Sequence, residues 1–393
     1  MRIKKTLLIA FAGLVVVAGI VLLSIYFTSG DPLFDFTAFW IAAKLTLNGQ
    51  DPYLQADWVP VYSQFETLGL ADNQTFLYPK PILLLFLPFG ALPLEIAAFI
   101  WLVLTQAAVL AAVYLLTSLW QIEKKIKYLI PLLVGLLIFR PYLLTLNLGQ
   151  LSGFLLLILT IILLLWQNQK WLIAGILLSL LTLKPSLGFP IIGLVSLWFL
   201  TKKVWGHFIG LAIGGGGLML LGWAFDPKWV SKFLEIGTSK VSATFGFHPT
   251  LWGLSGYLCG YQQTCALISG SILTIAFLTL FFVALWKKPD LLTPTAVLAL
   301  SIPLALLLTP YLWAYDHLLL VLPLTVTIGL LIDQKRAYLL AASLPAALAL
   351  VSILFLNVAV RIDNDTWSAL VPLFSLLVLS IVLLAPPTAE KTG

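Results

Sequence analysis

Three charged side chains stand out in a chain that is otherwise strongly apolar. Asp35 lies in GDPLFDFTAFWIAAKLTLNGQDPY (residues 30–53), soon after an apolar run long enough to cross a membrane. A carboxylate at such a boundary either caps a helix or accepts a proton in a reaction. Arg140 and Lys184 lie within apolar runs. A charge there costs about 2.5–3.5 kcal/mol on insertion scales, so both residues are candidates for a functional site.

The two cations are predicted near the same face of the membrane, in the outer halves of their spans. There they could bind an anion at the membrane surface, and a lipid phosphate fits that description. Pro141 and Pro185 follow them directly and would break the helix, which favours a shaped cavity. The alternative is that both long side chains simply extend to the lipid headgroups.

Polar side chains at the predicted outer face could complete a binding site. Asn147 and Gln150 lie in LNLGQLSG (146–153) and could bind sugar hydroxyls, although turn chemistry explains them equally well. In LLLTPYLWAYDHLLLVLPL (306–324), Trp313, Asp316 and His317 gather at a helix start. Trp313 and Asp316 are candidates for binding substrate, and Asp316 could instead cap that helix.

The sequence contains three histidines. His317 is favoured for chemistry over His248 because it is predicted to lie nearer the cavity floor. His248 lies in a long loop and is a candidate for substrate binding. His207 lies near a cytoplasmic connector and is predicted to be an interface residue.

The composition identifies the solvent of this chain as a bilayer. Of its 393 residues, 61% are hydrophobic and only 10% are charged, with a mean hydropathy of +1.05. A soluble domain carries about 25% charged residues. Spanning segments must be helices or a closed barrel, and the long continuous apolar runs favour helices. The chain is therefore predicted to be an all-α polytopic membrane protein.

The net charge of +6 does not indicate nucleic-acid binding, because most basic residues lie in short connectors. Such clusters mark the cytoplasmic side, which predicts that both termini are cytoplasmic. These basic residues are Arg2, Lys4 and Lys5; Lys124, Lys125 and Lys127; Lys170; Lys202 and Lys203; Lys287 and Lys288; Lys335 and Arg336; and Lys391.

About twelve spans are predicted between these connectors. Their limits are 6–27, 94–120, 128–146, 150–167, 171–184, 187–201, 205–225, 266–286, 291–309, 317–333, 337–358 and 368–385. The first resembles a signal peptide at its basic start, but its length predicts a retained span. The spans 171–184 and 187–201 are short and could be half-helices that line a cavity.

Two long connectors, 28–93 and 226–265, are predicted on the extracytoplasmic side of a single domain that spans residues 1–393. Long aromatic loops on one face are where such a protein would keep its site. Residues 36–47 predict an interfacial helix, and 79–93 predict a re-entrant or interfacial helix that is too short to span. One side of the first helix carries Phe36, Phe39, Trp40 and Ala43.

Both cysteines, Cys259 and Cys265, fall in the second long connector. A location outside the cytoplasm permits a disulfide between them. The alternative is two unrelated small hydrophobic side chains.

Several of these segments resemble glycosyltransferase family 87, an integral-membrane group with the GT-C fold. DFTAFWIAAKLTLNGQDPY matches the opening motif of the family: an aspartate, an aromatic residue, paired alanines, a glycine and a terminal Asp/Pro-Tyr. Further similar segments follow in family order, and together they cover residues 31 to about 324. These are FLYPKPILLLFLPFGALP, NLGQLSGFLLLILTIILLL, AGILLSLLTLKPSLGFPII and LTPYLWAYDHLLLVLPL.

The resemblance implies a GT-C fold and the transfer of mannose, or in some relatives a pentose, from a polyprenyl-phosphate donor at the outer face. It implies that the catalytic base is Asp35 rather than Asp31, and it implies a role for His317. Asp316 stands where the family often has a histidine. Tyr78-Pro79-Lys80-Pro81 stands where it often has Tyr-Pro-Pro. These departures concern the donor more than the reaction class, and Tyr78 and Lys80 are candidates for binding it.

The implied chemistry agrees with the residue types. One carboxylate suffices to deprotonate an acceptor hydroxyl for in-line displacement with inversion, and Lys184 and Arg140 could stabilise the departing phosphate. No acidic metal cluster or nucleotide-sugar domain is evident, so a lipid-linked donor, no cofactor and metal independence are expected. The expected acceptor is a glycolipid, a polysaccharide or a protein, and the expected location is the cell membrane with the site outside.

The strongest alternative is a transporter or flippase for a lipid-linked sugar, which would share the spans and an anion-binding cavity. Ion-coupled transporters usually bury carboxylates at the membrane midplane, and none is predicted there. A GT-C enzyme that uses a polyprenyl-phosphate pentose is a closer alternative. A structural scaffold is disfavoured because the charges are one-sided.

Overall fold

The computed structural model describes residues 33–64, 76–244, 246–287, 292–334 and 338–385. The predicted first span (6–27), Asp31 and several of the basic connector residues lie outside these ranges. Within the ranges the regular structure is helical and contains no strand, as the apolar runs predict. The all-α class is therefore confirmed for the part of the chain that the structure describes.

Seventeen α-helices occur in these ranges and are numbered in chain order. They are α1 (Phe34–Leu47), α2 (Gln55–Tyr62), α3 (Leu83–Gly90), α4 (Leu94–Leu119), α5 (Ile126–Leu137), α6 (Arg140–Leu148), α7 (Ser152–Gln167), α8 (Trp171–Ser179), α9 (Pro185–Thr201), α10 (Trp205–Phe225), α11 (Trp229–Thr244), α12 (Leu251–Leu258), α13 (Gln263–Lys287), α14 (Pro294–Leu308), α15 (Val321–Asp333), α16 (Tyr338–Ile362) and α17 (Leu370–Leu384). Short 3₁₀ turns precede α3, α15 and α17.

Six segments in the described ranges are long and apolar enough to cross a membrane, or seven if one bent pair counts as a span. The six are Leu94–Leu119, Trp205–Phe225, Gln263–Lys287, Ala314–Asp333, Tyr338–Ile362 and Thr366–Leu384. This is consistent with a polytopic membrane protein. The predicted count of about twelve is not confirmed: the predicted span 6–27 lies outside the described residues, and several other predicted spans form shorter helices. For example, α7 has 16 residues and α14 has 15, and at about 1.5 Å per residue both fall short of a hydrocarbon core about 30 Å thick.

Prolines interrupt the helices beside Arg140 and Lys184. The predicted span 128–146 is divided into α5 and α6, which are bent by 50°, with Pro141 in the first turn of α6. Lys184 has a non-helical backbone (φ −124°, ψ 78°) between the 3₁₀ turn that follows α8 and the start of α9 at Pro185. Proline lacks the amide hydrogen that a continuing helix needs, so the chain turns at these positions. The turns place both cations at helix ends.

The first long connector packs through α1 against α3 and α4. Phe36, Phe39, Trp40 and Ala43 are all buried, which confirms the predicted apolar side of this helix. The Phe39 ring stacks on Phe86 at a centroid distance of 4.3 Å. The predicted short helix within 79–93 is also observed, between Lys80 and Gly90. These contacts fix α1, and with it Asp35, against the helical core.

The second long connector contains α11 and α12. A disulfide joins Cys259, just after α12, to Cys265 near the start of α13. Of the two alternatives that the sequence leaves open for these cysteines, the structure contains the bridge.

Candidate functional site

A cavity of about 1010 Å³ lies between α1, α6, α9, α11 and the segment around residues 309–316. It collects side chains that are far apart in sequence. Seven residues singled out from the sequence line it: Asp35, Tyr78, Arg140, Gln150, Lys184, Trp313 and Asp316.

Two buried residues that line the cavity, Lys184 and Asp316, form an ion pair, and their position is called here the cavity floor. Lys184 Nζ donates to Asp316 Oδ1 at 2.5 Å, and Ser152 Oγ donates to the same oxygen at 2.8 Å. The Lys184 ammonium also lies 4.6 Å from the centre of the Tyr315 ring. Asp316 is fully buried, and its Oδ2 has no hydrogen-bond partner in the described residues. A buried carboxylate oxygen of this kind is an acceptor that a hydroxyl group could use.

Two sequence-based alternatives for Lys184 and Asp316 do not hold. Lys184 is 5% exposed and is paired inside the protein, so its ammonium does not extend to lipid headgroups. Asp316 does not cap its helix: the N-cap position is Trp313, without a side-chain capping bond. Both side chains turn to each other because a lone buried charge would be more costly.

Asp35 lies in the first turn of α1 and lines the cavity. The helix begins at Phe34 with Leu33 as its N-cap and no side-chain capping bond, so the capping alternative for Asp35 does not hold. Instead, Gln150 Nε2 donates to Asp35 Oδ2 at 2.5 Å. Burial raises the pKa of Asp35 to about 6, against the lowering effects of the Gln150 hydrogen bond and the Lys184 charge. A carboxylate with that pKa is suited to accept a proton near neutral pH.

A tight turn between α6 and α7 places Gln150 beside Asp35. The backbone N–H of Gln150 donates to Thr145 O at 3.0 Å, and the backbone N–H of Gly149 donates to Leu146 O at 3.3 Å. This is the Schellman pattern at the end of α6. Gly149 has φ +69°, in the left-handed region that favours glycine. The segment LNLGQLSG therefore forms a turn, as expected from its residue types, and this turn fixes the position of the Gln150 side chain.

Arg140 lies on the cavity wall and forms a bidentate ion pair with Asp365, with N–O distances of 2.8 and 3.2 Å. This pairing accounts for its charge without an extension to lipid headgroups. The sequence analysis did not single out Asp365. A signal was available, since RIDNDTWS (361–368) is a polar connector between two predicted spans on the side of the long loops.

Four predicted site residues do not line the cavity. Lys80 is buried elsewhere, Asn147 is exposed, and the rings of His248 and His317 are buried. The expectation that His317 lies nearer the cavity floor than His248 stays a prediction, since neither ring lines the cavity. The Nε2 atom of His317 has no hydrogen-bond partner in the described ranges. Roles for these four residues in binding or catalysis stay predictions.

His248 supports the cavity wall from behind. Its Nδ1 lies 3.0 Å from Leu312 O and its Nε2 lies 2.8 Å from Thr244 Oγ1. The ring also packs edge-on against Tyr311 and Trp313. This side chain therefore links the end of α11 to the segment that carries Trp313.

Lys80 belongs to a four-charge cluster, called here the loop latch, that joins the two long connectors. Its members are Asp51, Lys80, Asp226 and Lys232. Lys232 Nζ contacts Asp51 at 2.5 Å and Asp226 at 2.7 Å, and Lys80 contacts the same carboxylates at 3.2 and 3.5 Å. Partial burial alone would raise the pKa of both carboxyls, but hydrogen bonds from Lys232 and the Lys80 charge hold it below the usual range.

The mouth of the cavity is apolar. Phe189 on α9 and Leu234 on α11 both line it, and they are 60% and 54% exposed. Pro190 and Phe233 continue the same surface inward. The site therefore runs from a polar floor, with Lys184 and Asp316, past Asp35 on the wall to an apolar opening.

No group of three or more histidine, cysteine or acidic side chains placed to hold a metal ion occurs in the described ranges. Metal independence stays an expectation.

One of the comparisons with known proteins gives a match. No curated protein and no solved structure gives a significant match. A family model described as glycosyltransferase family 87 matches residues 76–310. The matched range includes Gln150 and Lys184, begins after Asp35 and ends before Asp316. Because it spans more than half of the sequence, the chain belongs to glycosyltransferase family 87.

Proposed function

We propose that the protein is an inverting glycosyltransferase. It moves a sugar, mannose, from a polyprenyl-phosphate donor to an acceptor hydroxyl at the extracytoplasmic face of the cell membrane, with both termini in the cytoplasm. The observation that carries the proposal is that Asp35 and Lys184 line one cavity, whose opening is apolar. Family membership supports the transferase class.

The proposed reaction is a single displacement. The Asp35 carboxylate accepts the proton of the acceptor hydroxyl as that oxygen bonds to the anomeric carbon of the sugar. The bond from the anomeric carbon to the phosphate oxygen breaks on the opposite side, so the configuration inverts and polyprenyl phosphate leaves. One carboxylate is enough because phosphate is already a good leaving group.

Lys184 is proposed to stabilise the negative charge on the departing phosphate. Its ammonium has three N–H donors; its described hydrogen bonds, to Asp316 and Gln150, engage two of them, and the Tyr315 ring lies 4.6 Å away. The third N–H is proposed to donate to a phosphate oxygen. Arg140 lies on the same wall; its two terminal nitrogens bond to Asp365, and its Nε has no hydrogen-bond partner in the described residues.

The apolar mouth supports a lipid-linked donor. Phe189 and Leu234 are exposed at the opening while Lys184 and Asp316 are buried at the floor, so an amphiphile fits with its head inside and its chain outside. A glycolipid or polysaccharide end is the proposed acceptor. Neither a cofactor nor a metal ion is required by this mechanism.

The test uses purified protein in lipid nanodiscs with radiolabelled polyprenyl-phosphate mannose and extracted membrane glycolipids. Transfer of label is expected in the presence of a chelator, and Asp35→Asn is expected to lose about 10²–10⁴-fold of the rate. Asp363→Asn is the matched control, because Asp363 is exposed and lies outside the cavity. Wild-type turnover in Asp35→Asn would end the assignment of the base.

An intact-lipid flippase is the second candidate, since the same apolar mouth and buried cation suit binding without chemistry. A leaflet assay with a fluorescent polyprenyl-phosphate sugar separates the two functions. Movement of intact lipid without sugar transfer supports the flippase. A parallel assay with a polyprenyl-phosphate pentose tests the choice of mannose.

A further inference from the structure

We propose that Gln150 is a positioning residue, whose amide keeps the Asp35 carboxylate ionised and fixed in the cavity wall, and that it does not serve as a ligand for a sugar. This inference rests on the proposed function insofar as Asp35 is the base. It replaces the sugar-binding role that the sequence predicts for Gln150.

The neighbours of Gln150 determine which way its amide points. Its Oε1 faces the Tyr78 hydroxyl at 3.4 Å and the Lys184 ammonium at 3.5 Å. An ammonium can only donate, so the carbonyl oxygen must face Lys184 and the amide nitrogen must face the carboxylate. The opposite orientation would set an N–H against an ammonium and a carbonyl against a carboxylate. The short contact from Nε2 to Asp35 is therefore the consequence of the charges on both sides.

The backbone leaves Gln150 little freedom to move away. A Cβ atom on Gly149 would lie 2.6 Å from Phe36 Cβ, so the turn lies directly on α1 beside Asp35. The Trp101 indole N–H donates to Gly149 O at 2.8 Å and holds the turn from the other side. Gln150 itself is 1% exposed. A buried amide with both ends engaged is better placed to orient a neighbour than to exchange partners with each substrate.

The Gln150 hydrogen bond and burial have opposite effects on the pKa of Asp35. The charged and titratable groups that face this carboxylate are Lys184 and Asp316 at the floor, the phenols of Tyr78, Tyr311 and Tyr315, and the Arg140–Asp365 pair on the wall. Burial raises the pKa of Asp35, and the Gln150 hydrogen bond is the largest opposing influence. Without that hydrogen bond, less opposes the effect of burial, so the pKa of Asp35 should rise and its carboxyl should hold the proton more tightly.

The experiment measures protonation of Asp35 directly. A hydrophobic carbodiimide reacts with protonated carboxyl groups, and the labelled Asp35 peptide is quantified by mass spectrometry across pH in the full-length protein. In Gln150→Met, which keeps the volume, the labelling midpoint should move up by about one pH unit. The control is Gln167→Met, the same change at the exposed end of α7, and its midpoint should match the wild type.

Sugar transfer supplies the second measurement. Gln150→Met should lose transfer near pH 6 and recover most of it at pH 8–9, with KM little changed. Gln150→Glu keeps an acceptor for Lys184 but sets a second carboxyl against Asp35, so it should shift the labelling midpoint further upward.

An unmoved labelling midpoint in both Gln150 variants would overturn the inference. So would a rise in KM for the sugar donor or acceptor that high pH does not restore, because that result describes a sugar ligand. If the midpoint shifts but the wild type shows no transfer, the inference stands for Asp35 while the proposed function fails. If transfer occurs and the midpoint does not shift, the proposed function stands alone.

Discussion

Arg140 and Asp365 form a bidentate ion pair across the cavity wall although 225 residues separate them in the sequence. Their side chains are 12% and 15% exposed, so the pair is largely shielded from solvent. Ser368 Oγ accepts a further hydrogen bond from Arg140 Nη1 at 3.1 Å. The pair connects α6 to the turn before α17. It also neutralises the charge of Arg140, which the sequence analysis considered as a binding group for phosphate.

Breaking this pair should destabilise the protein. Removing one partner of a buried ion pair typically costs about 3–5 kcal/mol, because the remaining charge stays buried. Arg140→Ala and Asp365→Ala should each lower the melting temperature in detergent, and the double variant should lose less than the sum. Arg361→Ala, at an exposed site on α16, is the control. Additive losses in the double variant would show that the two side chains do not stabilise the fold as a pair.

Gly149 should tolerate alanine far less well than Gly49. Both have positive φ, +69° and +73°, so both substitutions strain the backbone. Only at Gly149 would the new Cβ clash, at 2.6 Å from Phe36 Cβ, whereas Gly49 has open space. Gly149→Ala should therefore separate Gln150 from Asp35 and reduce sugar transfer by about tenfold or more, since small misplacements in a site are costly.

Gly49→Ala supplies the matched control for backbone strain and should cost only about 1 kcal/mol of stability. Melting temperature and transfer rate measured on both variants test the comparison. Equal losses in the two variants would contradict a close contact between the Gly149 turn and α1.

The positions of the helices could be predicted because they depend on local features. Apolar runs give the helices, and the prolines after Arg140 and Lys184 mark where they break. The number of spans could not be fixed in the same way. An apolar run of 15–17 residues, such as α14 or α9, can be a short buried helix as readily as a span.

The individual members of the site could be predicted, but their partners could not. Lys184 attracts notice because a charge in an apolar run is costly, yet its partner Asp316 lies 132 residues away. Which charges meet depends on tertiary packing. Lys80 illustrates the limit, since family resemblance suggests a donor-binding role while packing places it in the loop latch with Asp226.

The loop latch should hold α11 over the cavity. Lys232 lies on α11 and bonds to Asp51 and Asp226, while Phe233 and Leu234 beside it line the opening. Lys232→Met should release this helix, which predicts faster hydrogen exchange in α11 and a several-fold higher KM for the lipid donor. Lys228→Met is the matched control, because Lys228 is exposed. Unchanged exchange in α11 would show that apolar packing, rather than the latch, holds it.

The ionisation of Asp35 should appear as the acid limb of the pH profile. With a pKa of about 6, the ionised fraction falls about tenfold for each pH unit below that value, and kcat/KM should fall with it. An aspartate at its ordinary pKa would leave the rate flat down to about pH 5. Measurement of kcat/KM between pH 4.5 and 8.5 distinguishes these cases, and a flat profile would exclude Asp35 as the base.

Because its pKa is raised, ionised Asp35 should lower the stability of the folded protein at neutral pH. The folded protein holds this proton more tightly than the unfolded chain, whose value is near 3.8. The tighter binding of this proton by the folded protein therefore contributes fully to the free energy of unfolding below about pH 4. That contribution is lost as the pH rises through about 6. Asp35→Asn should accordingly raise the melting temperature relative to the wild type at pH 8 and change it little at pH 4. A lower melting temperature for Asp35→Asn at pH 8 would mean that the ionised carboxylate stabilises the fold, contrary to its burial in the cavity wall.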